Sequence, residues 1–176
     1  MSYVQSFPPI ESAASRVLIL GTMPGIVSLR ENQYYAHPQN AFWRIVATIL
    51  GFDAASAYAV RVALLSAAGI AVWDVLKSCT RQGSLDSDIV HATAVPNDLP
   101  AFLGAHPQIG RVCFNGAKAE ALYAKHVRPH LTGRDDIHYV RLPSTSPANA
   151  SVPVASKLQA WQEIARPLLT PQPFRD

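Results

Sequence analysis

The sequence is poor in cysteine and lacks any apolar run long enough to cross a membrane. Cys79 and Cys113 are the two cysteines of its 176 residues, and they form neither a CxxC pair nor the four-ligand set of an iron–sulfur cluster. The six histidines are spread along the chain, so we expect no metal and no cofactor. The first residues show no basic segment followed by an apolar one, which predicts no secretory signal, no membrane partner and a cytoplasmic location.

Charged residues are also scarce, at 15% of the chain, whereas hydrophobic residues reach 49%. This balance favours a folded globule over disorder, and the length fits a single domain, residues 1–176. We expect the tail from Pro171 to Asp176 to be flexible. The formal net charge of +3 permits contact with a phosphate backbone but does not require it.

Familiar nucleotide-binding loops are absent as well. The segment Gly21-Thr22-Met23-Pro24-Gly25 follows an apolar run directly, yet it has neither the Lys-Ser/Thr of a P-loop nor the three glycines of a dinucleotide fold. A strand-to-helix turn that needs glycine would explain it equally well. The chemistry of this loop therefore stays open at this point.

Short apolar segments separated by helical stretches make up most of the chain. The predicted strands are Val17 to Leu20, Ile70 to Trp73, Arg111 to Phe114 and Ile137 to Leu142. The predicted helices are Ala41 to Leu50, Ala54 to Ala68, one that begins near Pro100, Gly116 to His126, and Val154 to Leu169. This alternation predicts an α/β sandwich with a mainly parallel sheet.

Polar loops follow each predicted strand. They are Gly21 to Gly25, Asp74, Asn115-Gly116 and Pro143 to Asn149. Ligands of such sheets bind outside the carboxyl ends of the strands. We therefore expect these four loops to open on one rim.

A second loop, residues 34–43 (YYAHPQNAFW), gathers aromatic and polar side chains. Phe42 and Trp43 are expected in the core, while Tyr35 is placed to offer a ring face to a base. The Asn40 side chain can hold a water molecule, and it can also cap a helix that starts at Ala41. The two roles are compatible, because a capped asparagine is also a fixed one.

A family resemblance is carried by the segments GTMPG (21–25), YAHPQNAFW (35–43), WD (73–74), SLDS (84–87), PND (96–98), NGAKA (115–119) and LPSTSPAN (142–149). As an ordered set they resemble the uracil-DNA glycosylase superfamily, and above all its branch of hypoxanthine (deoxyinosine) DNA glycosylases. The mismatch-specific uracil/thymine branch is similar over the second loop. The resemblance implies a three-layer α/β/α sandwich around a short, mainly parallel four-stranded sheet.

Two positions depart from the wider superfamily. Many branches have Asp or Asn where this chain has Met23, and the last loop often has a histidine where this chain has Ser144. In the hypoxanthine branch an asparagine of the second loop takes over, and it corresponds to Asn40. The resemblance thus implies excision of hypoxanthine, with uracil as a weaker substrate.

The site assignments follow from the resemblance and from the residue types. Asn40 is the expected catalytic residue. The expected base-binding residues are Gly21, Thr22, Met23, Pro24, Gly25, Tyr35, Asp74 and Asn115. The expected DNA-binding residues are Lys118, Ser144, Thr145, Ser146, Pro147 and Asn149.

Two of the base-binding residues have an alternative interpretation. An ionised Asp74 accepts from the ring N–H that hypoxanthine and uracil share, whereas adenine presents a lone pair there. A helix cap or an ion pair with Arg81 would account for Asp74 equally well. Asn115 can supply a second edge contact or merely form a strand-end turn.

The expected activity is that of a monofunctional glycosylase, because neither N-terminal loop contains a lysine that could form a Schiff base. Its partner would be double-stranded DNA with deaminated bases, which leave the stack to be cleaved. No obligate protein partner is expected, and the resemblance implies a monomer. The alternatives are a uracil or mismatch-specific glycosylase, a non-catalytic nucleobase- or nucleic-acid-binding module, and, least favoured, a small-molecule hydrolase with His37 as base.

Overall fold

The structure, a computed structural model, describes residues 1–169. The tail that the sequence analysis expected to be flexible lies outside the described residues. The strands are β1 (Ser2–Gln5), β2 (Val17–Gly21), β3 (Ile70–Asp74), β4 (Leu76–Arg81), β5 (Val95–Pro96), β6 (Arg111–Asn115) and β7 (His138–Leu142). The α-helices are α1 (Ile26–Glu31), α2 (Phe42–Leu50), α3 (Tyr58–Ala67), α4 (Leu99–Ala105), α5 (Ala117–His126), α6 (Val154–Trp161) and α7 (Arg166–Leu169).

The central sheet contains the four strands that the apolar segments predicted. Its order is β3-β2-β6-β7, and each pairing is parallel. Because β2 and β3 pair with Gly21 opposite Asp74, the two polar loops that follow them start side by side. The three-layer α/β/α fold class is confirmed.

Alternate residues of β2 show the layers directly. Val17 and Ile19 are buried against side chains of α2, α3 and α6, whereas Leu18 and Leu20 are buried against α4, α5 and β4. All four side chains are fully buried. Helices on both faces thus exclude water from β2, which explains why this strand is a continuous apolar run.

A second, antiparallel sheet of order β1-β4-β5 was not predicted from the sequence. Only Val75 separates its strand β4 from β3, so the sequence shows no boundary between the two strands. Strand β1 forms by pairing with β4, with Ser2 opposite Arg81. A pairing between such distant segments leaves little trace in the local pattern of either one.

Two predicted helices were too long. The predicted helix from Ala54 begins only at Tyr58, because Asp53 Oδ1 accepts from the Ala55 N–H and holds this stretch in a turn. The predicted helix from Val154 to Leu169 is interrupted by a 3-10 turn after Trp161. Pro167 explains the break, since its ring has no N–H to donate and collides with the carbonyl of a preceding turn. The short helix α1 was not predicted.

Candidate active site

A cavity of about 350 Å³ opens at the carboxyl ends of the parallel strands. Loops from all four strands reach it, as the rim of such a sheet predicts. The expected site residues that line it are Gly21, Thr22, Met23, Pro24, Gly25, Tyr35, Asn40, Asp74, Asn115, Ser144, Thr145, Ser146, Pro147 and Asn149. Lys118, on α5, does not line it; its Nζ lies 3.3 Å from His91 Nε2.

Gly21 allows two other side chains to meet at the floor of the cavity. A Cβ atom at this position would lie 2.6 Å from Asp74 Oδ1 and 3.1 Å from the Tyr35 hydroxyl. Both distances are shorter than ordinary contacts. Asp74 and Tyr35 therefore occupy the space that a side chain at position 21 would need.

Asp74 is a buried carboxyl group that forms no ion pair within residues 1–169. Its side chain is 3% exposed, and among the described residues Oδ2 has no hydrogen-bond partner. Burial first, and then the nearby Asp86, raise the pKa of Asp74 to about 8, which Arg81 offsets only in part. At neutral pH the carboxyl is therefore mostly protonated, which differs from the ionised form expected from the sequence. It also ends a strand rather than capping a helix.

Arg81 lies behind the first loop as a buried cation. The residue is 1% exposed, and its Nη2 donates to the carbonyl oxygen of Pro24. Its Nε and Nη1 have no partner within residues 1–169. The expected ion pair with Asp74 is not formed there, yet the positive charge still acts on the carboxyl groups of Asp74 and Asp86.

Asp86 also lines the cavity, although no role was predicted for it from the sequence. It begins a 3-10 helix after β4 and is half-buried. Burial raises its pKa, while Thr22, Arg81 and Lys118 act in the opposite direction. The resemblance included the segment that contains Asp86, but nothing local indicated that this segment reaches the cavity.

Tyr35 stands in a left-handed backbone conformation, with φ of 56°. Its ring stacks on Phe42 with a centroid distance of 3.9 Å and an interplanar angle of 21°. One ring face is thus taken, so only the other face and the edge remain for a base. Burial and the charge of Asp74 raise the pKa of the Tyr35 hydroxyl, which keeps it protonated. Phe42 and Trp43 lie in the core, as expected.

Asn40 is fixed by its own side chain at the start of α2. Its Oδ1 accepts from the Phe42 N–H at 2.9 Å, and its N–H donates to the His37 carbonyl at 2.8 Å. The helix starts at Phe42 and not at Ala41, so Ala41 is its N-cap residue and Asn40 stands one position earlier, where its side chain still bonds the first helical N–H. An amide oxygen has a second lone pair, so Oδ1 can still accept from a water molecule in the cavity.

The Asn115 side chain holds the last loop. Its Nδ2 donates to Thr145 Oγ1 and its Oδ1 accepts from the Thr145 N–H, both at 2.9 Å. The Thr145 carbonyl in turn accepts from the Ala41 N–H at 3.0 Å, next to Asn40. Thr145 is 1% exposed, which argues against the phosphate contact expected of its hydroxyl. Asn115 thus joins two loops through Thr145, which supports the structural interpretation of this residue, and it also lines the cavity.

The rest of the last loop is held by short-range hydrogen bonds. Ser144 Oγ accepts from the Ser146 N–H, Ser146 Oγ accepts from the Ala148 N–H, and Asn149 Nδ2 donates to the Ser144 carbonyl. At its two ends, Trp161 Nε1 donates to the Pro143 carbonyl and the buried Lys157 donates to the Asn149 carbonyl. Helix α6 thus anchors both ends of the loop.

His37 also lines the cavity. Its Nδ1 accepts from the Gln39 N–H at 3.2 Å, which assigns the ring proton of the neutral form to Nε2. Elsewhere, His126 ends α5 and His130 lies in the following 3-10 helix, so their spacing of four does not place them on one helical face. Across residues 1–169 no three metal-ligating side chains converge, and no helix has the length and apolar character of a membrane span.

Comparison with known proteins gives concordant results. A family model of the uracil DNA glycosylase superfamily matches residues 8–165. The chain is 39% identical over 116 residues to a hypoxanthine DNA glycosylase of Methanosarcina barkeri and 36% identical to one of Methanosarcina acetivorans. Each alignment covers 65% of this chain and 72% of the relative.

A solved structure matches the fold. It is an NMR solution structure from Methanosarcina acetivorans, described as that of a candidate uracil DNA glycosylase. The TM-score is 0.75 at 30% identity, over 93% of this chain and 99% of the other. Together with the loops that its motifs place around one cavity, these matches show that the chain belongs to the uracil DNA glycosylase superfamily, in its branch of hypoxanthine DNA glycosylases.

Proposed function

We propose that the protein is a monofunctional DNA glycosylase that removes deaminated bases, with hypoxanthine preferred over uracil. The named activity of its two Methanosarcina relatives supports this function. The observation that carries it is the presence of Asn40 and Asp74 in one cavity, on separate elements. One residue can then act at the sugar while the other meets the base.

The substrate would be an extruded nucleotide. Reaching a buried glycosidic bond requires the base to leave the stack, which is easiest for a mispaired base such as hypoxanthine. The cavity volume of about 350 Å³ lies within the usual range of small-molecule pockets, about 300–1,000 Å³. Tyr35 would contact the base with its free ring face or its edge.

In the chemical step, water attacks C1′ of the sugar and the C1′–N bond of the nucleotide breaks. The bonding electron pair leaves with the base, which is then protonated, and an abasic site remains. We assign Asn40 to orient this water through the second lone pair of Oδ1. Its fixed position at the start of α2 removes the need to order the side chain during the reaction.

A neutral Asp74 suits the departing base better than an ionised one. The carboxylic acid can donate its proton to the base carbonyl while its other oxygen accepts from the adjacent ring N–H. Negative charge grows on the base as the bond breaks, and a carboxylate would repel that charge. A carboxylic acid kept neutral by burial is a suitable donor to a developing anion.

The monofunctional assignment rests on the lining of the cavity. No lysine is among the residues of the described chain that line it. Without such an amine, a Schiff base with C1′ has no nucleophile, and water is the remaining choice.

The decisive test uses duplexes with one deoxyinosine, uracil or xanthine, followed by alkaline cleavage of abasic sites. We expect strand breaks in the order hypoxanthine above uracil, and a loss of roughly 100-fold or more in Asn40→Ala. Gln39→Ala is the matched control, because this neighbouring exposed side chain does not line the cavity. Absence of strand breaks with the wild type would defeat the proposed activity, and a wild-type rate equal to that of Asn40→Ala would defeat the role of Asn40. Breakage without alkali would defeat the monofunctional assignment.

Two alternatives have different outcomes in the same assay. A uracil or mismatch-specific enzyme would reverse the substrate order, and a binding module would retain the lesion duplex without cleaving it. The hydrolase with His37 as base is disfavoured, since Nδ1 of this ring already accepts from Gln39 and Nε2 carries the proton of the neutral form.

A further inference from the structure

The attacking water must lose a proton, and the residue assigned to orient it cannot take one up. Asn40 carries a side-chain amide, which accepts hydrogen bonds but is not a base at ordinary pH. Within residues 1–169, the titratable side chains that line the cavity are Tyr34, Tyr35, His37, Asp74 and Asp86. One of these five would have to be the proton acceptor.

Four of the five are poor acceptors. Burial raises the pKa of the Tyr34 and Tyr35 hydroxyls, so both remain protonated. His37 Nδ1 already accepts from the Gln39 N–H. Asp74 keeps its proton up to a pKa of about 8. Asp86 is the carboxyl group that remains among the described lining residues.

The segment that carries Asp86 is fixed against the first loop. Asp86 begins the 3-10 helix Asp86–Asp88, whose last N–H donates to the Leu85 carbonyl at 3.1 Å. Just before it, Ser84 Oγ accepts from the Ile26 N–H at 2.9 Å, directly after the first loop. That loop has Met23 and no carboxylate of its own. The segment therefore brings a carboxylate to a wall of the cavity that lacks one.

The two carboxyl groups of the cavity differ in depth. Asp74 is 3% exposed at the floor, whereas Asp86 is half-buried. An extruded base would reach the floor, while its sugar stays nearer the mouth because it remains joined to the DNA backbone. Positive charge develops on the sugar as the C1′–N bond breaks, and a fixed negative charge on that side stabilises it.

The surroundings of Asp86 also support its ionised form better than those of Asp74. Burial raises the pKa of Asp86, but the positive charges of Arg81 and Lys118 act against it. The Thr22 hydroxyl has no partner within hydrogen-bond distance among residues 1–169, yet it lies close enough to lower the pKa of Asp86 as well. Two carboxyl groups whose surroundings separate their pKa values are suited to acid and base roles in one site.

We propose that Asp86 is the general base of this site, whose carboxylate faces the sugar and accepts a proton from the attacking water. The proposal rests on the proposed function, since it concerns the water that Asn40 orients. As the water oxygen bonds to C1′, one O–H bond breaks and its proton goes to a carboxylate oxygen of Asp86. The C1′–N bond breaks, and its electron pair leaves with the base, which is then protonated. Asp86 is half-buried, so it returns its proton to solvent after the reaction.

The test compares Asp86→Asn with Asp88→Asn in the excision of deoxyinosine from a duplex. Asp88 is an exposed carboxylate of the same 3-10 helix and does not line the cavity. Asp86→Asn should lower kcat about 100-fold or more, whereas Asp88→Asn should stay within about twofold of the wild type. KM of Asp86→Asn should not rise, because the substitution removes a negative charge that would repel DNA phosphates.

The pH dependence of kcat separates a base from a structural carboxylate. The wild-type rate should rise with pH through the pKa of Asp86 and fall through about 8, where Asp74 loses its proton. Asp86→Asn should lack the rise and keep the fall. Asp86→Glu retains a carboxylate, so it should keep the rise and more of the rate than Asp86→Asn. The charged and titratable groups that interact with Asp86 are unchanged in these variants; they are Tyr35, Asp74, Cys79, Arg81 and Lys118.

The outcomes distinguish this proposal from the proposed function. A wild type that excises nothing overturns both. If the wild type is active and Asn40→Ala is not, but Asp86→Asn matches Asp88→Asn or keeps the rise with pH, the general base alone is overturned.

Discussion

Replacing Asp74 with asparagine should make the protein more stable at neutral and alkaline pH. Asparagine has nearly the same shape as aspartic acid and is never charged. Asp74 is 3% exposed and its Oδ2 has no partner among residues 1–169, so the ionised form is poorly accommodated. The fold therefore holds a proton on Asp74 that the unfolded chain releases.

The sign and size follow from the two pKa values. Asp74 has an ordinary pKa of 3.8 and a pKa of about 8 in the fold. Between these values the native state binds one more proton than the unfolded state, so the free energy of unfolding falls as pH rises, by at most about 1.4 kcal/mol per pH unit. Over the whole window the wild type loses up to about 6 kcal/mol that Asp74→Asn does not lose. Below the lower pKa the two proteins should be about equally stable.

Urea unfolding at several pH values between 5 and 8 measures this directly. The free energy of unfolding of Asp74→Asn minus that of the wild type should grow steadily with pH, by about 1 kcal/mol per pH unit. The exposed Asp135→Asn serves as a control for the loss of one carboxylate. Asp86 also has a raised pKa, but it is present in both proteins. Parallel curves for the wild type and Asp74→Asn would refute the neutral carboxyl.

Three further predictions concern activity and packing. The excision rate of the wild type should fall as pH rises through about 8, because ionised Asp74 cannot donate to the base. The rate of Asp74→Asn should not show this fall. A wild-type rate that rises in this pH range would contradict the prediction. Gly21→Ala should abolish excision and lower the free energy of unfolding by about 1–3 kcal/mol, because the new Cβ would lie 2.6 Å from Asp74 Oδ1. A variant that is active and as stable as the wild type would contradict this prediction. Asn115→Ala should lower the free energy of unfolding by about 1–3 kcal/mol, whereas Asn115→Asp should keep most of the stability and excision, since a carboxylate still accepts from the Thr145 N–H and hydroxyl. If Asn115→Asp is stable but does not excise, direct contact of Asn115 with the base is favoured.

The position of the site could be predicted from the sequence, because it depends on a few local patterns. Apolar runs located the four parallel strands, and the rule for their carboxyl ends brought Gly21, Asp74, Asn115 and the last loop to one rim. Asn40 also lines the cavity although it follows a helix and not a strand. Its place came from the resemblance and not from the strand pattern.

The electrostatics could not be predicted in this way. The neutral state of Asp74 depends on burial and on Asp86, which reaches the cavity only because β4 leads the chain back toward it. Strand β4 itself escaped prediction, and with it the buried Arg81 at its end. The engagement of Asn115 with Thr145 likewise joins two loops that the sequence separates by 30 positions.

By the family resemblance, Ser144 stands where many branches of the superfamily have a histidine. Under the proposed function, the negative charge of the departing base would then be met by other groups. A serine hydroxyl supplies no positive charge. In the proposed complex, a neutral Asp74 would supply a proton donor at the base edge, while Arg81 contributes a buried positive charge behind Pro24. Neither group would serve alone: an ionised Asp74 would repel the departing base, and Arg81 does not line the cavity. Under the proposed function, this pair would stabilise an anionic purine without the histidine as long as Asp74 keeps its proton.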